Sequence, residues 1–223
     1  MGKRKPADEP PPPSAILAPD IEDTATLPGG YETLPAFLSE TPVLSGTSYG
    51  TLMHKTMELL DLIHLPPVET AIRQKIESLY ERNALTAEEK GILLHHSGAK
   101  SPVRDILKFM HSPLQEAMKK ADIIRKELPF SVLLPASRYY PDCEKGEDIF
   151  LQGVIDCLLE TDGQLTIIDY KTDRIQSADE LKKHYTAQLL IYKEAAEQIL
   201  KKPVTGLYLW SFHLEKMIPV DAQ

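Results

Sequence analysis

Two runs decide how this chain of 223 residues is read: Gly153-Val154-Ile155-Asp156, then Ile167-Ile168-Asp169-Tyr170-Lys171. Each drives an apolar stretch into a carboxylate, and the second adds a lysine two residues on. Side chains alternate across a strand, so Asp169 and Lys171 share a face. Ionisable groups at the end of so apolar a strand are costly to bury unless they pair or hold a metal. Asp162-Gly163 between the runs is a turn signal, so 149–160 and 165–171 read as an antiparallel hairpin. Alternation puts Asp156 on the face of Val154 and Leu158, and Asp169 on that of Ile167.

Outward from the hairpin, Glu127-Leu128-Pro129-Phe130 opens a strand over 127–134. Beyond the hairpin, a helix runs from Ala178 to about Lys201. Its stripe is Tyr185, Gln188, Leu189, Tyr192, Ala195, Ala196 and Ile199, and Pro203 ends it. Gln188 and Tyr192 are one turn apart. Residues 204–214 read as a buried strand. Residues 67–125 look all-helical. A helix over 67–83 comes first. Thr86-Ala87-Glu88-Glu89 then starts another as a capping box, ending near Ser97-Gly98. Ser101-Pro102 and Ser112-Pro113 each place a cap before a first-turn proline. Ser48-Tyr49-Gly50-Thr51 opens the first helix, with Ser48 as N-cap and Leu52, Met57, Leu60 and Ile63 at helical spacing. The sum is an α/β fold: a mixed β-sheet flanked by helices, with an inserted helical segment at about 67–125.

Residues 1–45 hold nine of the 18 prolines and read as a linker or extended segment. The compact domain is expected over 46–218. The net charge is −8, and residues 1–40, with seven acidic and three basic residues, carry half of it. The body is only mildly acidic, so a nucleic-acid path would rest on local basic clusters. These are Lys119-Lys120, Arg125-Lys126, Arg174 and Lys182-Lys183-His184. The two cysteines, Cys143 and Cys157, are too few for a zinc or iron–sulfur site and fit a reducing cytoplasm. Cys157 reads as a core residue. No apolar run is long enough to span a bilayer, and no h-region follows the basic start.

Paired carboxylates at strand ends, with a lysine beside them, are the parts that phosphodiester hydrolysis needs. Hard oxygen ligands hold a divalent cation, and the ammonium orients water or offsets phosphate charge. An Asp…Asp-x-Lys match is weak alone. The bland alternative is a same-face ion pair. Likewise, His54 taken alone reads as a packed histidine, and Gln188 and Tyr192 as the polar edge of a helix. His64, His95, His96 and His111 read as surface or packing residues.

Four motifs nonetheless occur together and in order: Gly50-Thr51-x-x-His54, Gly153-Val154-Ile155-Asp156, Ile168-Asp169-Tyr170-Lys171-Thr172-Asp173 and Gln188-x-x-x-Tyr192. The set resembles the RecB-type branch of the PD-(D/E)XK nucleases, and more closely the C-terminal nuclease domain of AddA subunits of bacterial AddAB helicase–nucleases. The resemblance covers roughly 35–218. It implies a restriction-endonuclease-like fold. It implies that His54, Asp156 and Asp169 bind the metal, with the Tyr170 backbone carbonyl as a further ligand, and that Lys171 is the catalytic lysine. Gln188 and Tyr192 would contact DNA and order the site, with Arg174 near the phosphates and Glu127 as an accessory carboxylate. The cofactor implied is Mg²⁺, with Mn²⁺ tolerated because imidazole suits it.

The resemblance further implies cleavage of single-stranded DNA, delivered by a helicase portion alongside an AddB-like subunit in double-strand break repair. No GxxxxGK[ST] loop occurs, so no nucleotide site is expected in this chain, and the cysteine set of the iron–sulfur relatives is absent. The competing reading is a non-catalytic DNA-end-binding or scaffold module on the same fold.

Overall fold

A computed structural model describes residues 47–95, 101–138 and 146–221. The stretch 1–45, the helix end at Ser97-Gly98 and the residues around Cys143 lie outside the described residues. In chain order come helices α1 (Thr47–Leu59), α2 (Glu69–Glu81), α3 (Ala87–His95), α4 (Pro102–Met110) and α5 (Pro113–Lys120). Strands β1 (Ile123–Pro135), β2 (Asp148–Thr161) and β3 (Gln164–Lys171) follow, then α6 (Ala178–Leu200), β4 (Val204–Ser211) and β5 (Lys216–Pro219).

The strands form one sheet in sequence order. The β1/β2, β2/β3 and β4/β5 pairs are antiparallel. Only β3 and β4 run parallel, joined by α6 as the crossover. Helices cover both faces. The α1–α5 layer packs Met53, Met57, Ile72, Ile106 and Phe109 against Cys157, Leu159, Ile168, Tyr170 and Trp210. On the other face, Leu181, Leu189, Tyr192 and Ala195 of α6 pack against Phe130, Leu158, Ile167 and Leu209. Burying each large apolar side chain in such layers contributes about 1.5–3 kcal/mol.

Local chemistry explains the element ends. Thr86 and Glu89 form the reciprocal capping box, Thr86 N–H to Glu89 Oε2 at 2.7 Å and Glu89 N–H to Thr86 Oγ1 at 3.1 Å. Ser112 caps α5 through Gln115 N–H, whereas Ser101 precedes α4 without a side-chain cap bond. Ser177 Oγ accepts from Glu180 N–H at the start of α6, and Lys201 ends that helix in the left-handed region at φ 55°.

Several expectations are corrected. Helix α1 begins at Thr47, so Ser48 is inside it and not its cap. Strand β1 starts at Ile123, so the helical stretch stops at Lys120. The expected strand 204–214 breaks after Ser211, and Glu215 at φ 52° turns the chain back into β5. Ile199 is 48% exposed and leaves the α6 stripe, because it lies past the edge of the sheet-facing arc.

Strict alternation fails where it matters most. Ile155 packs under α6, yet Cys157, two residues on, packs under the α1–α5 layer. On β1, Leu128 and Phe130 likewise face α6, while Ile124 faces the other layer. Between them Glu127 has φ 46°, and this left-handed residue turns the paired strands from one face to the other. Asp156 therefore does not share a layer with Leu158. It meets α1, while Leu158 sits under α6.

Gly153 shows how tightly that twisted pair is packed. A Cβ there would lie 2.8 Å from both Phe130 Cε1 and Cζ. Phe130 in turn packs edge-on against Tyr192, with ring centroids 5.6 Å apart at 77°. Gly153→Ala should therefore destabilise by about 1–3 kcal/mol through overpacking. Urea unfolding at unchanged slope measures it, and a loss below about 0.5 kcal/mol would show that the Phe130 ring moves aside freely.

Candidate metal centre and active site

The site opens where a ladder stops. The β2/β3 pairing runs from Thr161↔Gln164 to Cys157↔Ile168 and ends there. The next free N–H, that of Tyr170, donates instead to Asp156 Oδ2 at 2.7 Å. Asp156 thus takes the place of a backbone partner and sits in the cleft between diverging strands. Its Oδ1 lies 3.2 Å from His54 Nδ1 on α1. Gly50, one turn before His54, brings the start of that helix onto the end of β3, where an added Cβ would come within 3.0 Å of Thr172 Oγ1.

Glu127 completes the cluster. His54, Glu127 and Asp156 each offer one ligand atom, and these lie within 4.8 Å of one another. The left-handed backbone that turns the strand is also what presents this carboxylate to α1.

Asp169 stands beside the set and is 1% exposed. Its Oδ2 lies 2.8 Å from Lys171 Nζ, an ion-pair contact outside hydrogen-bonding geometry. Its Oδ1 accepts from Gln188 Nε2 at 3.3 Å. The same amide uses both ends: Oε1 accepts from Lys171 Nζ at 3.2 Å, and Nε2 also donates to Tyr192 Oη at 2.5 Å. Only a side chain that is donor and acceptor together can bridge a carboxylate and an ammonium in this way. Tyr170 enters through its backbone N–H, and its ring packs edge-on against His54, with centroids 6.2 Å apart. Arg174 is exposed in the connection from β3 to α6.

Two neighbours depart from the sequence reading. The Tyr185 ring lies over Lys171 Nζ at 4.0 Å, and its hydroxyl donates to Asp173 Oδ2 at 2.8 Å. It stands three residues before Gln188 on the same stripe, so helical spacing held the signal. Lys126, expected in a phosphate-tracking cluster, instead spends its ammonium on the carbonyls of α1. Lys119 pairs with Glu116 and Arg125 with Glu160. His64 pairs with Asp61 at the surface, and His111 bonds the Leu107 carbonyl. The side chain of His95 and all of His96 lie outside the described residues.

The sequence signature of the PD-(D/E)XK nuclease superfamily matches residues 31–222. The chain belongs to the PD-(D/E)XK nuclease superfamily. It is similar to the A subunit of the ATP-dependent helicase/nuclease of Clostridium botulinum (strain Langeland), 34% identical over 191 residues. That match covers 84% of this chain and 14% of the relative. The protein of the same name from Bacillus velezensis is 36% identical over 179 residues, covering 76% and 14% respectively. The chain thus spans only 14% of the length of these relatives. Among the described residues no helix is long and apolar enough to cross a membrane.

PD-(D/E)XK nucleases use divalent metal ions, and the donors present suit one. An imidazole nitrogen and carboxylate oxygens converge, and a buried Asp169 oxygen beside them lacks a hydrogen bond. Electrostatics agree. Burial, then the charge of Asp156, pushes Glu127 up to about 6. Burial also pushes Asp169 up, against the pull of Lys171. For His54 burial acts downward, but its bond to Asp156 and the charges of Asp156 and Asp169 prevail, so its pKa is raised. Crowded negative charge that holds on to protons is what a cation would relieve.

These directions set a pH dependence. A raised carboxyl keeps its proton in the folded state above its unfolded value of about 4, so ionising it costs stability as pH rises towards 6. A cation needs Glu127 and Asp169 ionised and His54 neutral. Mn²⁺ affinity should therefore climb from pH 5 to pH 7.5, with protons released on binding at pH 6. Titration calorimetry in two buffers of different ionisation heat measures that release. A flat affinity across this range would exclude these groups as the ligands.

Proposed function

We propose that this chain is a nuclease domain that hydrolyses the phosphodiester bonds of single-stranded DNA. In this reading a helicase portion delivers the strand, an AddB-like subunit is the partner, and the setting is double-strand break repair by recombination in the cytoplasm. The cofactor is Mg²⁺, with Mn²⁺ accepted. The observation that carries the reading is the convergence of His54, Glu127 and Asp156 next to the Asp169–Lys171 pair. The names of the relatives, which contain both helicase and nuclease, support the partner and the process.

His54, Asp156 and Asp169 would hold the cation, with Glu127 and the Tyr170 carbonyl completing its surroundings. When bound, such an ion lowers the pKa of the attacking water and offsets charge that builds on the phosphate. Lys171, whose side chain is 11% exposed, keeps a positive charge at the same place, where it orients water or the phosphate. Gln188 holds Lys171 and Asp169 in one geometry, and Tyr192 fixes the amide end. Gln188, Tyr192 and Arg174 line the approach for DNA.

The test is a metal titration with an end-labelled single-stranded oligonucleotide. Shortened products that need Mg²⁺ or Mn²⁺ and vanish with EDTA are the expected result. A mobility shift without products at any metal concentration would leave a binding or scaffold module and overturn the catalytic reading.

A further inference from the structure

Lys126 carries no role in the chemistry above, yet it is among the most constrained side chains in the molecule. Its ammonium donates to three carbonyls at the end of α1: Met57 O at 2.9 Å, Glu58 O at 3.2 Å and Leu60 O at 2.5 Å. An ammonium has three protons, so this geometry uses them all. Burial is the largest influence on Lys126 and lowers its pKa, so its charge is retained against a cost. The last carbonyls of a helix are orphaned and partly negative, which is where a cation offsets that cost.

The position matters because of what flanks it. Helix α1 carries His54, one turn before the carbonyls that Lys126 holds. The next residue on β1 is Glu127, whose φ of 46° is unfavourable for a side chain of this size. Lys126 thus ties the helix that supplies the imidazole to the strand that supplies a carboxylate, within one residue of the strained position. His54 and Glu127 are 73 positions apart in sequence, and both belong to the cluster that also contains Asp156.

We propose that Lys126 is a positioning residue for the metal set: by clamping the end of α1 to β1, it holds Glu127 in its left-handed conformation and at ligand distance from His54. The role rests on the metal-site reading above. A cap that merely stabilised α1 would change global stability alone. A positioning clamp changes cation affinity, and does so through Glu127.

The experiment is a double-mutant cycle on the whole chain with Mn²⁺ alone, read by electron paramagnetic resonance of free Mn²⁺, beside thermal unfolding. Lys126→Met keeps the stem and removes the donors. It should weaken Mn²⁺ binding about 10–100-fold, the usual effect of losing an outer partner of a metal ligand. Glu127→Gln should weaken it too. Lys126→Met added to Glu127→Gln should then cost little more, because its route is already lost. Additive losses, or a lower Tm with unchanged Mn²⁺ affinity, would overturn the proposal. Should Lys126→Met fail to fold, Lys126→Gln, which keeps a neutral donor, takes its place in the cycle. Failure of both to fold would make Lys126 a residue of the fold only, and would overturn it as well. If the unmodified chain binds no Mn²⁺, the metal-site reading itself fails, a result distinct from additivity in a chain that binds.

Discussion

Lys171→Met should cut DNA cleavage by about 10²–10⁴-fold, the range for removing a positioned proton-transfer or charge-stabilising group. Methionine keeps the stem beneath the Tyr185 ring but deletes the ammonium that Asp169 and Gln188 face. The change should also destabilise, because Asp169 is buried and loses its opposite charge. These two effects can be separated. The double change Asp169→Asn with Lys171→Met removes both charges and should regain most of the lost stability with no return of activity. Cleavage at the original rate by Lys171→Met would remove Lys171 from the reaction. A double mutant no more stable than Lys171→Met would mean that the ion pair is not what holds this corner together.

Phe109→Ala should be the most damaging single change to the fold, at about 3–5 kcal/mol. Phe109 is fully buried on α4. Its ring meets Tyr170 edge-on at 5.4 Å and Trp210 at 5.3 Å, so it joins the helical layer to β3 and β4. Each such pair is worth about 0.5–1.5 kcal/mol beyond its area. A domain of this kind has roughly 5–15 kcal/mol in total, so the loss is a large share of it. The site should feel it as well. Tyr170 is the residue whose N–H holds Asp156 and whose ring backs His54. Equilibrium urea unfolding, paired with Mn²⁺ affinity of the folded fraction, checks both effects. A loss under 1 kcal/mol would show that the layers close over the cavity, and would disprove the keystone role of this ring.

Elements that depend on neighbours in sequence are readable directly. The capping box at Thr86 and Glu89, the Asp162-Gly163 turn and the long helix α6 each announce themselves within a few residues. Gln188 and Tyr192 can be set on one face because helical spacing is local, and the same rule reaches Tyr185, although no motif points to it. Strand β5 escapes a sequence reading because it has four residues and follows a turn made by Glu215, a residue type that gives no turn signal. The expected alternation around Asp156 fails because a strand's period holds only while the strand keeps one conformation.

What the sequence by itself determined was the inventory: two carboxylates and a lysine at strand ends, a histidine on the first helix, a Gln/Tyr pair on the last, and four ordered motifs that resemble one nuclease superfamily. Which of these groups meet was decided only by tertiary structure. Glu127 reaches His54 and Asp156 because one left-handed residue turns a paired strand, and Asp156 enters the cleft because a ladder ends at Cys157. Lys126 leaves the surface because the end of α1, 66 residues upstream at Leu60, needs its protons. Each of these depends on contacts between segments far apart in the chain, and a local pattern of apolar and polar residues does not record them.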